Sequence, residues 1–365
     1  MIKLPGIVVR GIVRLVILIQ GGMGAMISLA TLAGAVARRG GIGVVSAVGL
    51  KIAVSARVGR QVSDFEAAKL EIEEAIRLSG GKGRIYLNCM WHMHTTLESI
   101  RGAIAGGVHG IIVGAGIART LADMPEIEAH PEVALVPIVS SARVLELLCR
   151  SWKKHPPDAV VVEGPQAGGH LGYSLEQIED PAYQLEAVLP AVLEVSKGSF
   201  PVIVAGGIWD RDDIVRMMEA GADGVQMGTP FLATHESGAS AAFKEKIMTA
   251  TADDILVAAD PGSPARMPIR ILASSPGYQD ALKRRCTDEK LEECIWGYML
   301  NGGKCDALDS PKCFCICKAL VGAVNNDPNM TELPIYTVGA NVWRVKKRGI
   351  LSVDELMNEL TGFKS

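Results

Sequence analysis

Pro201-Val202-Ile203-Val204-Ala205-Gly206-Gly207-Ile208, then a helix-period segment over 210–220, then Gly224-Val225-Gln226-Met227-Gly228-Thr229, is the stretch whose reading decides the fold. Two short runs flank one amphipathic segment opened by Asp210, a residue type that caps helix N-termini. The runs are apolar on both faces instead of alternating, as parallel strands covered by helices require. The same unit recurs toward the N-terminus. Strand candidates over 16–20, 43–46, 84–88, 110–113, 133–139 and 159–163 are separated by helical patterns over 29–39, 64–79, 95–105 and 141–153, with another over 185–195 leading into the quoted stretch. Eight such units argue for a closed (β/α)8 TIM barrel over a doubly wound open sheet. At 365 residues the chain has room for that barrel and an appendage.

Composition narrows the classes. Apolar residues make up 48% of the chain, enough for a large core. The net charge is −3 with Lys and Arg spread throughout, so there is no basic stripe and nucleic acid is not an expected partner. Arg10 and Arg14 interrupt the first twenty residues and no run of eighteen apolar residues occurs, so neither a leader nor a membrane span is expected and the location reads as cytoplasmic.

In a barrel every strand-to-helix loop lies on one rim. The first is Gln20-Gly21-Gly22-Met23-Gly24, whose glycines let a flat ring lie against backbone. The third strand candidate ends at Asn88, an amide able to donate and accept. The loops after the seventh and eighth strands carry Gly206-Gly207 and Gln226-Met227-Gly228-Thr229, at the place where barrels commonly bind phosphate through backbone N–H groups. The sixth strand runs into Glu163-Gly164-Pro165-Gln166-Ala167-Gly168-Gly169-His170-Leu171-Gly172, delivering an imidazole to the rim with nothing bulky beside it.

Together these motifs resemble the nitronate monooxygenase family, formerly 2-nitropropane dioxygenases, and its relatives the FMN-dependent enoyl-ACP reductases. The resemblance covers most of the chain and includes Asn88-Cys89-Met90, Ala167-Gly168-Gly169-His170 and the run from Gly221 to Thr229. It implies a flavoprotein oxidoreductase with FMN as cofactor. Gly22, Met23 and Asn88 would meet the isoalloxazine, with Gly168 close by, while Gly206, Gly207, Gln226, Gly228 and Thr229 would serve the ribityl phosphate. His170 takes the catalytic position, as a base that turns a nitroalkane into its nitronate or as the group that holds the nitronate. Glu163 stands where many members carry Gln, and Pro230 where Arg is common, so polar contacts to flavin or substrate differ here. Glu163 resembles the acidic residue of the enoyl reductase branch.

Three functions stay open at this point. They are O2-dependent oxidation of nitronates, NAD(P)H-dependent reduction of an enoyl thioester, and a flavin and thiol redox-sensing binding protein. The small-molecule substrate differs among them, and a homodimer is one assembly left open. The appendage reads as a helical lid inserted after the eighth strand, with 1–234 and 334–365 forming the FMN-binding barrel and 235–333 the lid, including helical patterns over 241–249 and 290–300. A last helix is expected over 353–360. The lid concentrates Cys286, Cys294, Cys305, Cys313, Cys315 and Cys317 without a paired C-x-x-C knuckle, so no metal is assigned and free thiols are the expected state. Cys89 and Cys149 read as packing residues, and Trp91-His92-Met93-His94 as a rim loop without a carboxylate partner for a metal.

Overall fold

The computed structural model describes residues 3–12, 14–294, 299, 304–325 and 333–363. Its strands are β1 (Ile17–Gln20), β2 (Ile42–Ser46), β3 (Arg84–Met90), β4 (Gly110–Gly114), β5 (Ala134–Val139), β6 (Val160–Glu163), β7 (Gly169–His170), β8 (Val202–Ala205), β9 (Gly224–Met227), β10 (Ile255–Ala258) and β11 (Ile269–Leu272). Eight of them close into a parallel barrel in the order β1-β2-β3-β4-β5-β6-β8-β9. Closure pairs Ile17, Leu18, Ile19 and Gln20 with Gly224, Val225, Gln226 and Met227. Every strand expected from the sequence is present.

Each barrel strand is buried on both faces, and its two sets of side chains enter different cores. Ile19, Val44, Tyr86, Ile112, Val136, Val161 and Ile203 fill the barrel interior. Leu18, Val45, Leu87, Val113, Leu135, Val162 and Val204 face outward and meet helical residues such as Val36, Ile72, Ile100 and Leu148. This double burial accounts for the unalternating pattern of the sequence. The helices Ala30–Arg38, Asp64–Ser79, Thr96–Ala105, Ala142–Ser151, Leu185–Ser196 and Arg211–Glu219 occupy the expected places. Ser63 and Asp210 cap two of them by accepting the N–H groups of Glu66 and Asp213. The closing helix Val353–Thr361 packs with the barrel's outer layer through Leu356, Met357 and Leu360. Unforeseen in the sequence is the helix Leu50–Val58 after β2, whose apolar spacing is masked by Lys51, Ser55 and Arg57.

The segment expected to be a helical lid is mixed. It contains the helices Ala241–Thr249 and Pro276–Thr287, and also the strands β10 and β11, which form an antiparallel sheet with β7 of the loop after β6, ordered β10-β11-β7. β10 and β11 are four residues each and lie between prolines, and Arg270 breaks the apolar run of β11, so local pattern reads them as loop. The helix expected over 290–300 is not formed over 290–294, and residues 295–298 and 300 lie outside the described residues. This segment has a core of its own, in which Ala258, Ile269, Ile271, Phe314 and Ile316 are buried together with Ile335 of the C-terminal segment. Among the described residues no helix is long and apolar enough to cross a membrane.

Helix–strand contact is tightest at Gly43 of β2, where a Cβ would overlap the backbone carbonyl of Ala33. We expect Gly43→Ala to lower the unfolding free energy by about 1–3 kcal/mol, the usual cost of overpacking a filled interior. A shift of the urea midpoint at unchanged slope is the measurement that checks it.

Candidate active site

The first glycine loop is shaped by a buried amide. Gln20 accepts the N–H of Val44 at 2.9 Å and donates to Ser28 Oγ at 2.7 Å. Ser28 Oγ in turn accepts the N–H of Met23 at 2.9 Å. The loop crosses directly over β3, since a Cβ at Gly22 would overlap that of Asn88. The loop after β8 is held from the C-terminal segment: Asn341 donates to the Gly207 carbonyl at 2.6 Å, and Arg348 lies 4.0 Å from the centroid of Trp209. Thr229 Oγ1 accepts the Gly339 N–H at 3.0 Å.

The loop carrying His170 is clamped by the lid. In β7, His170 pairs with Ile269 and Gly169 with Arg270. The buried Arg270 guanidinium donates to the carbonyls of Pro165 at 2.6 Å and Ala167 at 2.5 Å. Burial lowers its pKa to about 10, which leaves it charged at neutral pH. Gly168 passes so close to the C-terminal segment that a Cβ would stand 2.6 Å from the Val338 carbonyl carbon. His170 Nε2 lies 2.7 Å from Ser263 Oγ, also from the lid.

These loops enclose a cavity of about 270 Å³ bordered by every proposed site residue: Gly22, Met23, Asn88, Glu163, Gly168, His170, Gly206, Gly207, Gln226, Gly228 and Thr229. Its two titratable acid–base groups are both pushed toward neutrality by burial. The Glu163 carboxyl is raised to about 7 and the His170 imidazole lowered to about 4. Ser46 Oγ and Gln226 Oε1 are buried without a partner among the described residues, and both residues border the cavity. Partnerless buried polar atoms beside a cleft fit a ligand with a polar heteroaromatic edge. Among the described residues no Lys or Arg borders the cavity, so its donors for an anion are backbone N–H groups and neutral side chains.

Sequence reasoning missed Ser46, Ser263, Arg270 and the stretch Val338-Gly339-Ala340. Ser263 and Arg270 reach the loop of His170 from about a hundred residues away, with no local motif to announce them. Of the other candidates, His92, His94 and Cys149 fall outside the cavity. His92 and His94 are exposed on the rim. Cys89 borders the cavity but is buried, which pushes its thiol up to about 12, and Cys149 is half-buried on the barrel's outer layer. Cys89, Cys149, Cys286, Cys305, Cys313, Cys315 and Cys317 are in no disulfide, and among the described residues no group of three or more His, Cys, Asp or Glu is arranged to hold a metal.

Comparison with known proteins bears on the family and the fold. A nitronate monooxygenase family model matches residues 9–362. A probable nitronate monooxygenase of Bacillus subtilis is 40% identical over 97 residues, 27% of this chain and 27% of that protein. One of Staphylococcus saprophyticus is 39% identical over 112 residues, 30% of this chain and 31% of that protein. The matched stretch thus spans less than a third of these curated relatives. Among solved structures, FabK from Thermotoga maritima superimposes with a TM-score of 0.67 at 23% identity, covering 94% of this chain and 91% of that one. A nitroalkane oxidase from Streptomyces ansochromogenes gives 0.64 at 19% identity, covering 94% of each. At these identities the structural likeness is one of fold. With nearly its whole length matched to one family model, the chain belongs to the nitronate monooxygenase family.

Proposed function

We propose that the chain binds FMN in the rim cavity and oxidises alkyl nitronates with O2, with His170 facing the substrate. The observation that carries this reading is the cavity itself, in which glycine loops, two partnerless polar atoms and two burial-neutralised acid–base groups converge. Gly22, Met23 and Asn88 would meet the isoalloxazine, Glu163 and Gly168 its surroundings, and Gly206, Gly207, Gln226, Gly228 and Thr229 the ribityl phosphate. FMN, when bound, supplies the electron acceptance and the oxygen chemistry. The protein supplies orientation and a water-poor enclosure under the lid, for which we assign 235–333, with 1–234 and 334–365 as the barrel. A neutral imidazole handles the substrate in one of two ways: as a base for the α-proton of a nitroalkane, or as an N–H donor to the oxygens of a nitronate. A second reading, reduction of an enoyl thioester by NAD(P)H, is favoured by Glu163, whose carboxyl keeps its proton up to about pH 7 and can donate it. The thiol-sensing reading gains no support from the cavity, where the one bordering cysteine is the unreactive Cys89.

Gly228 has an ordinary backbone conformation, and a Cβ there would find its nearest neighbour, Met23 Sδ, at 3.8 Å. Gly228→Asp should therefore fold normally and yet lose FMN, by setting a carboxylate against the phosphate. The yellow absorbance of purified wild type and its absence from the folded variant check this.

His170→Ala should keep FMN while losing about 10²–10³ in kcat with a short-chain alkyl nitronate, the range for removal of one positioned donor. Oxygen uptake measures it. A wild type that consumes no O2 with nitronate but oxidises NAD(P)H anaerobically with an enoyl thioester would move the assignment to the second reading.

The burial of Glu163 and His170 also sets a pH dependence in cofactor-free protein. The carboxyl pKa of Glu163 rises from 4.5 to about 7, so its stabilising contribution is complete below pH 4.5 and is lost as pH rises through about 7. His170 falls from 6.5 to about 4, so its contribution is complete above pH 6.5 and is lost as pH falls through about 4. Wild type is therefore expected to lose thermal stability on going from about pH 6 to about pH 8.5. Glu163→Gln should remove the part of that decline due to the carboxylate, as read from thermal midpoints at the two pH values.

A further inference from the structure

Ser263 and His170 form a closed hydrogen-bonding system whose proton positions follow from counting donors and acceptors. Ser263 is 3% exposed, and its Oγ accepts the N–H of Ala265 at 3.2 Å. The hydroxyl still has a proton to donate, and the acceptor within reach is His170 Nε2 at 2.7 Å. A buried hydroxyl left without an acceptor costs about 1–3 kcal/mol. Nε2 can accept only as a lone pair, which puts the ring proton of the neutral imidazole on Nδ1. Nδ1 has no partner among the described residues, and the ring borders the cavity.

Both partners are rigidly mounted. The Gly262 N–H donates to the Lys312 carbonyl at 2.7 Å, the Phe314 N–H to the Gly262 carbonyl at 3.0 Å, and the Arg266 N–H to the Ser263 carbonyl at 3.0 Å. His170 is fixed by its pairing with Ile269 and by the Leu171 N–H, which donates to the Pro268 carbonyl at 2.8 Å. These bonds hold the two backbones in fixed register, so the two side chains start from fixed positions.

We propose that Ser263 is a positioning residue that locks His170 as its Nδ1–H tautomer, so that the ring meets the substrate as a hydrogen-bond donor and selects an already ionised nitronate over the neutral nitroalkane. The inference rests on the nitronate reading above and deepens it. A nitroalkane must surrender its α-proton to a ring nitrogen whose lone pair faces the cavity, and Nδ1 in this tautomer has none. The opposite tautomer frees that lone pair but strands the proton of the Ser263 hydroxyl. A nitronate has already lost the proton, and its oxygens accept the Nδ1–H directly.

The test is made on the flavin-loaded full chain. Ring ¹⁵N shifts of histidine-labelled protein, with His170 assigned by the signal lost in His170→Gln, should show a protonated Nδ1 and a lone-pair Nε2 in wild type near pH 7. Ser263→Ala should shift the population toward Nε2–H, and Ser263→Thr, which keeps the hydroxyl, should restore the wild-type spectrum. The ratio of kcat/KM for nitroalkane to that for nitronate should rise by about five- to a hundredfold in Ser263→Ala, the equivalent of the stranded-hydroxyl cost, and return in Ser263→Thr. A lone pair on Nδ1 in wild type, or an unchanged tautomer and ratio in Ser263→Ala, would overturn the proposal. If wild type turns over no nitronate, the substrate reading fails, while the spectra still decide the tautomer.

Discussion

The pairing of Ile17, Leu18, Ile19 and Gln20 with Gly224, Val225, Gln226 and Met227 closes the barrel, and closure turns eight separate strand ends into one rim. In an open sheet the loop after β1 and the loop after β9 would lie at opposite edges. Here the Gly21 N–H donates to the Met227 carbonyl at 2.8 Å, so the first and last glycine loops touch. The constraint behind closure is apolar burial on both faces of every strand, which leaves no edge that tolerates water. Large side chains inside the barrel make that interior a packed core, so ligand space exists only above it.

A glycine-rich loop is poorly suited to hold a functional side chain in one place, since its backbone has many conformations to choose from. The lid supplies what the loop lacks. β11 adds β7 to its edge, Arg270 satisfies two carbonyls of the loop at once, and Ser263 engages the imidazole. Burying a guanidinium is costly unless its donors are used, and the two short bonds to Pro165 and Ala167 give it charge-assisted partners, with the Glu179 carboxylate also favouring its charge. The barrel thus provides the floor of the cavity while the segment inserted after β9 fixes the geometry of His170.

The electrostatic character of the cavity follows from the same enclosure. With no Lys or Arg at its border among the described residues, and with the pKa of Glu163 raised to about 7 and that of His170 lowered to about 4, neither group carries its charge at mildly acidic pH. An anionic ligand is met by oriented dipoles, which act more strongly in a water-poor site than they would in solvent. The cysteines of the lid stand apart from this chemistry. Cys315 is acidified to about 6 by its hydrogen bond with Cys317 and by Lys318, while Cys317 is pushed upward by the same bond.

The sequence alone determined the barrel, because double-faced apolar strands and capped amphipathic helices are local patterns, each legible within about ten residues. It also determined the rim loops, because glycine pairs and a histidine directly after strands such as Ala205 and Glu163 announce themselves by position in the chain. The lid sheet was not legible: Ile255–Ala258 and Ile269–Leu272 are short, interrupted by Arg270 and flanked by prolines, and gain strand structure only by pairing with each other and with Gly169–His170. Tertiary structure alone decided the neutrality of Glu163 and His170, since desolvation depends on what covers a group. It alone decided the roles of Ser263, Arg270 and Asn341, whose partners lie 93 to 134 residues away in the chain. Hydrogen bonds between such distant residues leave no periodic trace in a sequence, and only the folded chain brings their donors and acceptors within reach.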